Sequence, residues 1–301
     1  MSKTDEVLAL IKNEVNDQNI RAIIAEIIKR LNERGKNATK HTIDYFDGSS
    51  GTTTMRLGCN RLNQWRMGGY YSSDKDYISD SIQMNVVSGL MADTVDVTTG
   101  DLSDAYEMLI RRIQKRENPS FEDIMEDIYL TTTEYYGGIE EVNPDDRADY
   151  YYRLGDANLT GRLSDLKGLN LAACVERAAL SQNLLQLMGF ESVYKVSQVT
   201  NNDKSTEVHA YNLVAHKGKY YLFDATIPRI DEKGKVTPII TEIPKEMYET
   251  LSHPFNGDDV SIITERDSVR GHKKVHYNSW STRVHDTTGG KIPDSDDEQV
   301  L

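Results

Sequence analysis

Residues 169–189 read LNLAACVERAALSQNLLQLMG. The stretch is apolar almost all round, with Glu176 and Arg177 as its only charges. A helix without a polar face belongs inside a core rather than on a surface. Gly189 is suited to end it, because glycine accepts the left-handed conformation past a helix C-terminus. Cys174 falls near the helix start. A thiol there feels the positive end of the helix dipole and the unpaired N–H groups of the first turn, and both favour the nucleophilic thiolate. The backbone N–H of Cys174 is also placed to donate to an oxyanion. The plainer reading is a small cysteine packing a helix, since cysteine is among the residue types most often buried.

Downstream, residues 207–226 read EVHAYNLVAHKGKYYLFDAT. Two alternating arms flank Lys217-Gly218, which reads as a two-residue hairpin loop with glycine where a positive φ is wanted. This register sets His216 opposite Lys219, Leu213 opposite Leu222, Tyr211 opposite Asp224 and His209 opposite Thr226. His209 and Asp224 then share a face as diagonal neighbours, about 7–8 Å apart at the backbone. From there a carboxylate can accept the imidazole N–H, fix its tautomer and support its protonated form. A slip of one residue would send the two to opposite faces. Taken alone, the hairpin is better read as an ordinary strand histidine and an aspartate at a strand end, because His and Asp often meet by chance in sheets.

The order of helix-borne Cys, strand His and strand Asp is carried by AACVERAALSQNLLQLMGFESVYKV and then EVHAYNLVAHKGKYYLFDAT. It resembles the transglutaminase-like superfamily, a branch of the papain-like cysteine-nucleophile fold. In that family a Cys opens a central helix that closes on a Leu-x-x-Leu-Gly-like segment before a strand. A His-Ala-aromatic-Asn strand, a short turn, aromatic residues and Asp-x-Thr follow. The match spans about Leu169–Pro228, roughly a fifth of the chain. The resemblance implies an α+β fold in which the Cys-bearing helix packs on an antiparallel sheet. It also implies Cys174 as nucleophile, His209 as general base and Asp224 as orienting carboxylate. The chemistry is then acyl transfer from an amide through a thioester, with a protein or peptide as substrate and no cofactor or metal. Hydrolysis by a protease or amidase is favoured, because water is the default acceptor. The alternatives are a transglutaminase that passes the acyl group to an amine, and a non-catalytic binding module. Some positions depart from the family pattern. Leu171-Ala172-Ala173 precede the Cys where relatives often carry Gly, and Tyr211 and Tyr220-Tyr221 stand where Trp is frequent. The missing Gly leaves the second oxyanion donor unassigned, and the Asn170 side chain is the nearest candidate.

The rest of the chain divides by pattern. Residues 1–160 read as a mainly helical N-terminal region, residues 161–290 as the catalytic core with C-terminal strands, and residues 291–301 as an acidic disordered tail. Near the start, Val7, Leu8, Ile11 and Val15, then Ile20 to Leu31, keep a helical period that breaks near Asn16–Asn19. Ala105, Met108, Leu109 and Ile113 fit one helix face, and Ser120 reads as the N-cap of another helix. Between them, residues 46–75 are rich in Gly, Ser and Thr and read as a long loop. GSSGTTT at 48–54 lacks the Lys of a phosphate-binding loop. Trp65 and Arg66 in this loop, with Tyr211, are candidates to line a substrate cleft, against the simpler reading of a solvated loop. Cys59 has no ligand-spaced histidine and reads as a packing residue. His272 and His276 lack a third ligand, so no metal site is expected.

A net charge of −13 over 301 residues argues against a general nucleic-acid binder, which needs a cationic face. Two cysteines are too few for a disulfide scaffold, and a reducing compartment is expected. The N-terminal stretch mixes acids into its apolar positions, unlike a secretory signal, and no run approaches membrane-spanning length. A cytoplasmic protein without membrane partners is the expectation; the oligomeric state is left open.

Overall fold

The computed structural model describes residues 2–35, 54–56, 66–70, 84–87, 94–98, 100–138, 142, 144–157, 161–200, 206–230, 236–252, 260–263, 266–267, 274–275 and 281–284. Ser2 caps the first helix, α1 (Lys3–Glu14). Its hydroxyl accepts the Asp5 N–H at 3.1 Å while Asp5 Oδ2 accepts the Ser2 N–H at 3.0 Å, a reciprocal cap. The break near Asn16–Asn19 is held by the Asn16 side-chain oxygen, which accepts from the N–H groups of Gln18 and Asn19. α2 (Ile20–Gly35) follows it.

Short strands come next: β1 (Thr54–Arg56), β2 (Arg66–Tyr70), β3 (Met84–Val87) and β4 (Thr94–Thr98). They pair antiparallel in sequence order, and β5 (Gly161–Arg162) joins β4 in parallel. β1 and β2 fall inside the 46–75 stretch that reads as a loop. Strands of three to five residues among Gly, Ser and Thr offer too few positions for an alternating signal.

α3 (Ser103–Lys115) buries Ala105, Leu109 and Ile113 as their spacing predicts. α4 (Phe121–Tyr135) starts at the expected cap, Ser120, with Asp123 completing a second reciprocal cap. α5 (Pro144–Asp156) leads to the central helix, α6 (Cys174–Leu187), in which every residue from Val175 to Leu187 is buried. Gly189 ends α6 at φ +78°, and a Cβ there would lie 2.9 Å from the backbone of Lys3. Glycine thus meets two demands at once: a left-handed turn and close approach by α1.

The main sheet follows, with β6 (Glu191–Thr200), β7 (Thr206–His216), β8 (Lys219–Ile230) and β9 (Val236–Ile243) as an antiparallel meander. After α7 (Lys245–Ser252), β10 (Val260–Ile263) runs parallel to β6, and β11 (Arg266–Asp267) pairs with β12 (Lys274–Val275). β13 (Ser281–Val284) lies antiparallel to β10 at the sheet edge. α6 contacts α2, α3 and α4 as well as β6, β7 and β8. One core cluster runs from Val7 to Ala225 and includes Ala210, Val214 and Phe223 of the sheet, so helices on both sides of residue 160 share it. The alternate sheet positions Val193, Tyr211, Leu213, Leu222 and Ile243 form a second cluster with Tyr248 of α7. Fully burying an apolar side chain of this size contributes about 1.5–3 kcal/mol. No helix among the described residues is long and apolar enough to cross a membrane.

Candidate active site

Lys217 and Gly218 both have positive φ, +49° and +78°, the conformation of a type I′ hairpin turn. The expected register follows from it: His216 pairs with Lys219, Leu213 with Leu222, and the ladder runs out to Asn212–Phe223. There it stops. The expected rungs Tyr211–Asp224 and His209–Thr226 are absent, while β7 goes on pairing with β6 through Ser197–His209 and β8 with β9 through Asp224–Ile239. β8 then shifts register against β9 between Asp224 and Arg229. The hairpin therefore forks, and His209 and Asp224 stand on its two tines. His209 Nε2 lies 2.7 Å from Asp224 Oδ2 and bridges the fork. Asp224 Oδ1 accepts the Thr226 N–H at 2.8 Å, so both carboxylate oxygens are fixed.

α6 begins at Cys174, and the thiol meets this fork. The His209 ring and the N–H of Ala210, which lies past the last rung to β8, stand near the sulfur and are the groups that act on its titration. With Nε2 on Asp224, Nδ1 is the ring nitrogen left for sulfur. Burial alone would push the Cys174 thiol up; the hydrogen bond and charge of His209 and the Ala210 N–H outweigh it and lower the pKa. Burial would likewise push His209 down, yet the charge and hydrogen bond of Asp224, followed by those of Cys174, raise it to about 10. The two shifts run in the directions that favour a thiolate beside an imidazolium. His209 and Asp224 are buried, whereas Cys174 keeps partial exposure.

Polar side chains fix the helix against the sheet. Asn212 Nδ2 donates to the Ala178 carbonyl at 3.0 Å and to Gln182 Oε1 at 3.1 Å. Gln182 Nε2 in turn donates to the carbonyl and hydroxyl of Ser192. The segment entering Cys174 is also held. Arg177 Nε donates to the Ala172 carbonyl at 2.9 Å and its Nη2 to the Gly138 carbonyl at 2.8 Å. Glu176 Oε2 accepts the Ala173 N–H at 2.9 Å, a one-sided cap because Ala173 has no side-chain oxygen to give. Glu176 was visible in the sequence only as one of two charges on an apolar helix. Its partners, Arg147 and Tyr151, lie on a different helix and carry no spacing signal.

The remaining candidates are placed as follows. Asn170 has φ +51°, and its N–H donates to the Tyr136 carbonyl at 2.8 Å. Its buried side-chain oxygen has no hydrogen-bond partner among the described residues. Tyr211 is 1% exposed within the second core, so it packs the sheet instead of lining an open cleft. Arg66 opens β2, while Trp65, Cys59, His272, His276 and the tail 291–301 lie outside the described residues. Fold and site together define an α+β protein with a thiol at the start of a buried helix, near an imidazole that is hydrogen-bonded to a carboxylate on the sheet. No protein-family model matches the chain, and no curated protein does.

Proposed function

We propose that this chain is a cysteine-dependent acyl-transfer enzyme of the transglutaminase-like kind, acting as a protease or amidase. The observation that supports this reading is the buried His209–Asp224 pair, at 2.7 Å, beside a Cys174 thiol that opens a buried helix. The Cys174 thiolate attacks the carbonyl carbon of an amide, forming a C–S bond as the carbonyl π pair moves to oxygen. The N–H of Cys174, one of the donors unpaired at a helix start, stabilises that oxyanion, with the Asn170 amide as second donor. The tetrahedral intermediate collapses, the C–N bond breaks, and His209 gives its proton to the leaving amine. Water then attacks the thioester while His209 takes its proton, releasing the carboxylic acid and restoring the thiolate. Asp224 holds the imidazole orientation and supports its charged form throughout.

The deciding experiment incubates the protein with a mixture of peptides, with and without a primary amine, and reads the products by mass spectrometry. Hydrolysed amide products that vanish in Cys174→Ala are expected. Amine adducts in place of hydrolysis would reassign the chain as a transglutaminase, and no Cys174-dependent product in either arm would sink the enzyme reading.

A further inference from the structure

Glu176 lies two residues after Cys174, is fully buried, and has both carboxylate oxygens engaged. Oε2 accepts the Ala173 N–H. Oε1 accepts from Arg147 Nη2 at 2.5 Å and from the Tyr151 hydroxyl at 2.6 Å, both on α5. The ion pair is sealed from water, with side-chain exposures of 8% for Arg147 and 0% for Glu176. Buried pairs are poor sources of net stability, because desolvating both ions offsets their attraction, so this one invites another role. Its position supplies one. A carboxylate on the turn that opens at Cys174 opposes a thiolate there, whereas a guanidinium beside it cancels that opposition.

We propose that Arg147 and Tyr151 are positioning residues for Cys174: they hold the Glu176 carboxylate as the cap of the Cys174 turn and cancel its charge at the thiol. The inference rests on the reading of Cys174 as the nucleophile. The charges are coupled as it requires: Glu176 pushes the Cys174 thiol up, and ionised Cys174 supports the Arg147 cation. The other titratable groups facing this pair are Tyr136 from the C-cap of α4, Tyr150 from α5, Arg177 from α6, Tyr194 from β6 and His209 from β7. The tyrosines are held neutral by burial, which leaves Arg147, Arg177 and His209 as the cations.

The test is the rate of Cys174 alkylation by iodoacetamide as a function of pH, read by peptide mass spectrometry on the full chain. Arg147→Gln moves the midpoint upward by about one pH unit, and Tyr151→Phe moves it less in the same direction. Arg147→Lys, which keeps the charge, recovers most of the shift, and the double variant Arg147→Gln/Glu176→Gln returns towards the parent profile. A double variant shifted as far as Arg147→Gln would overturn the proposal, because the effect would then be loss of structure rather than charge. Unmoved profiles in Arg147→Gln and Tyr151→Phe would overturn it as well. If Arg147→Gln does not fold, Tyr151→Phe and the double variant decide on the same terms. His209→Ala separates the two levels. A parent midpoint already ordinary and unmoved by His209→Ala defeats the nucleophile reading itself. A low parent midpoint that His209→Ala raises, but the α5 variants do not, defeats only the role of Arg147 and Tyr151.

Discussion

His209 is raised against the pull of its own burial, and Asp224 is the first cause of the rise. Asp224→Asn keeps the size of the side chain and removes its charge. The imidazolium then gives up its proton at lower pH, so the alkaline limb of kcat/KM moves down and activity falls by about 10²-fold or more. The same residue pair makes a stability prediction with a definite sign. The folded pKa of about 10 lies above the ordinary value near 6.5 of an unfolded chain. The pair's stabilisation is therefore full below about pH 6.5 and is lost as pH rises through about 10. Urea denaturation of the parent and of Asp224→Asn checks it. The gap in stability is wide at pH 6 and narrows as pH approaches about 10; a gap that widens with pH contradicts the assignment.

Two elements place these residues, the β7–β8 hairpin and α6, and they were legible in the sequence to different depths. The turn at Lys217-Gly218 fixed the register as far as Asn212–Phe223, because a two-residue loop leaves little choice of pairing. The fork beyond that rung was not legible. There β8 also shifts register against β9 between Asp224 and Arg229, and sequence spacing within one hairpin says nothing of an irregularity against a third strand. Lys217 sits at φ +49°, where an L residue other than Asn or Asp is strained. Lys217→Asn stabilises the fold by up to about 1 kcal/mol and leaves activity unchanged, as a urea midpoint and an activity assay would show. Asn212 is the tie between the elements. Asn212→Ala strands the oxygen of Gln182 and costs about 1–3 kcal/mol. A lower urea midpoint at unchanged m-value is the expected signature. α6 itself announced its burial by having almost no charge, but its cap was hidden, since Ala173 is no N-cap residue and Glu176 finds its other partners on α5.

At the scale of the molecule, one core joins α1 to the sheet, and the pattern of the first 160 residues did not disclose it. Helical periodicity identifies a buried face without naming what covers it. Gly189 against Lys3 is one such meeting, between residues with no sequence relation. Ile11 on α1 and Leu184 on α6 are both fully buried in that core. Truncating either to Ala costs about 2–5 kcal/mol. Each variant is expected to lower a single unfolding transition followed by circular dichroism and by tyrosine fluorescence, since both positions belong to one cooperative unit. Separate transitions by the two probes would divide the chain instead. The whole chain also carries its own reference for the central claim, because Cys59 is its other cysteine. The most direct measurement labels the intact protein with iodoacetamide at pH 6 and compares the rates at Cys174 and Cys59, in the parent and in His209→Ala. Fast labelling of Cys174 that His209→Ala abolishes, with Cys59 slow in both, is expected of a thiol activated by His209; equal, slow labelling of the two cysteines in the parent would contradict that activation.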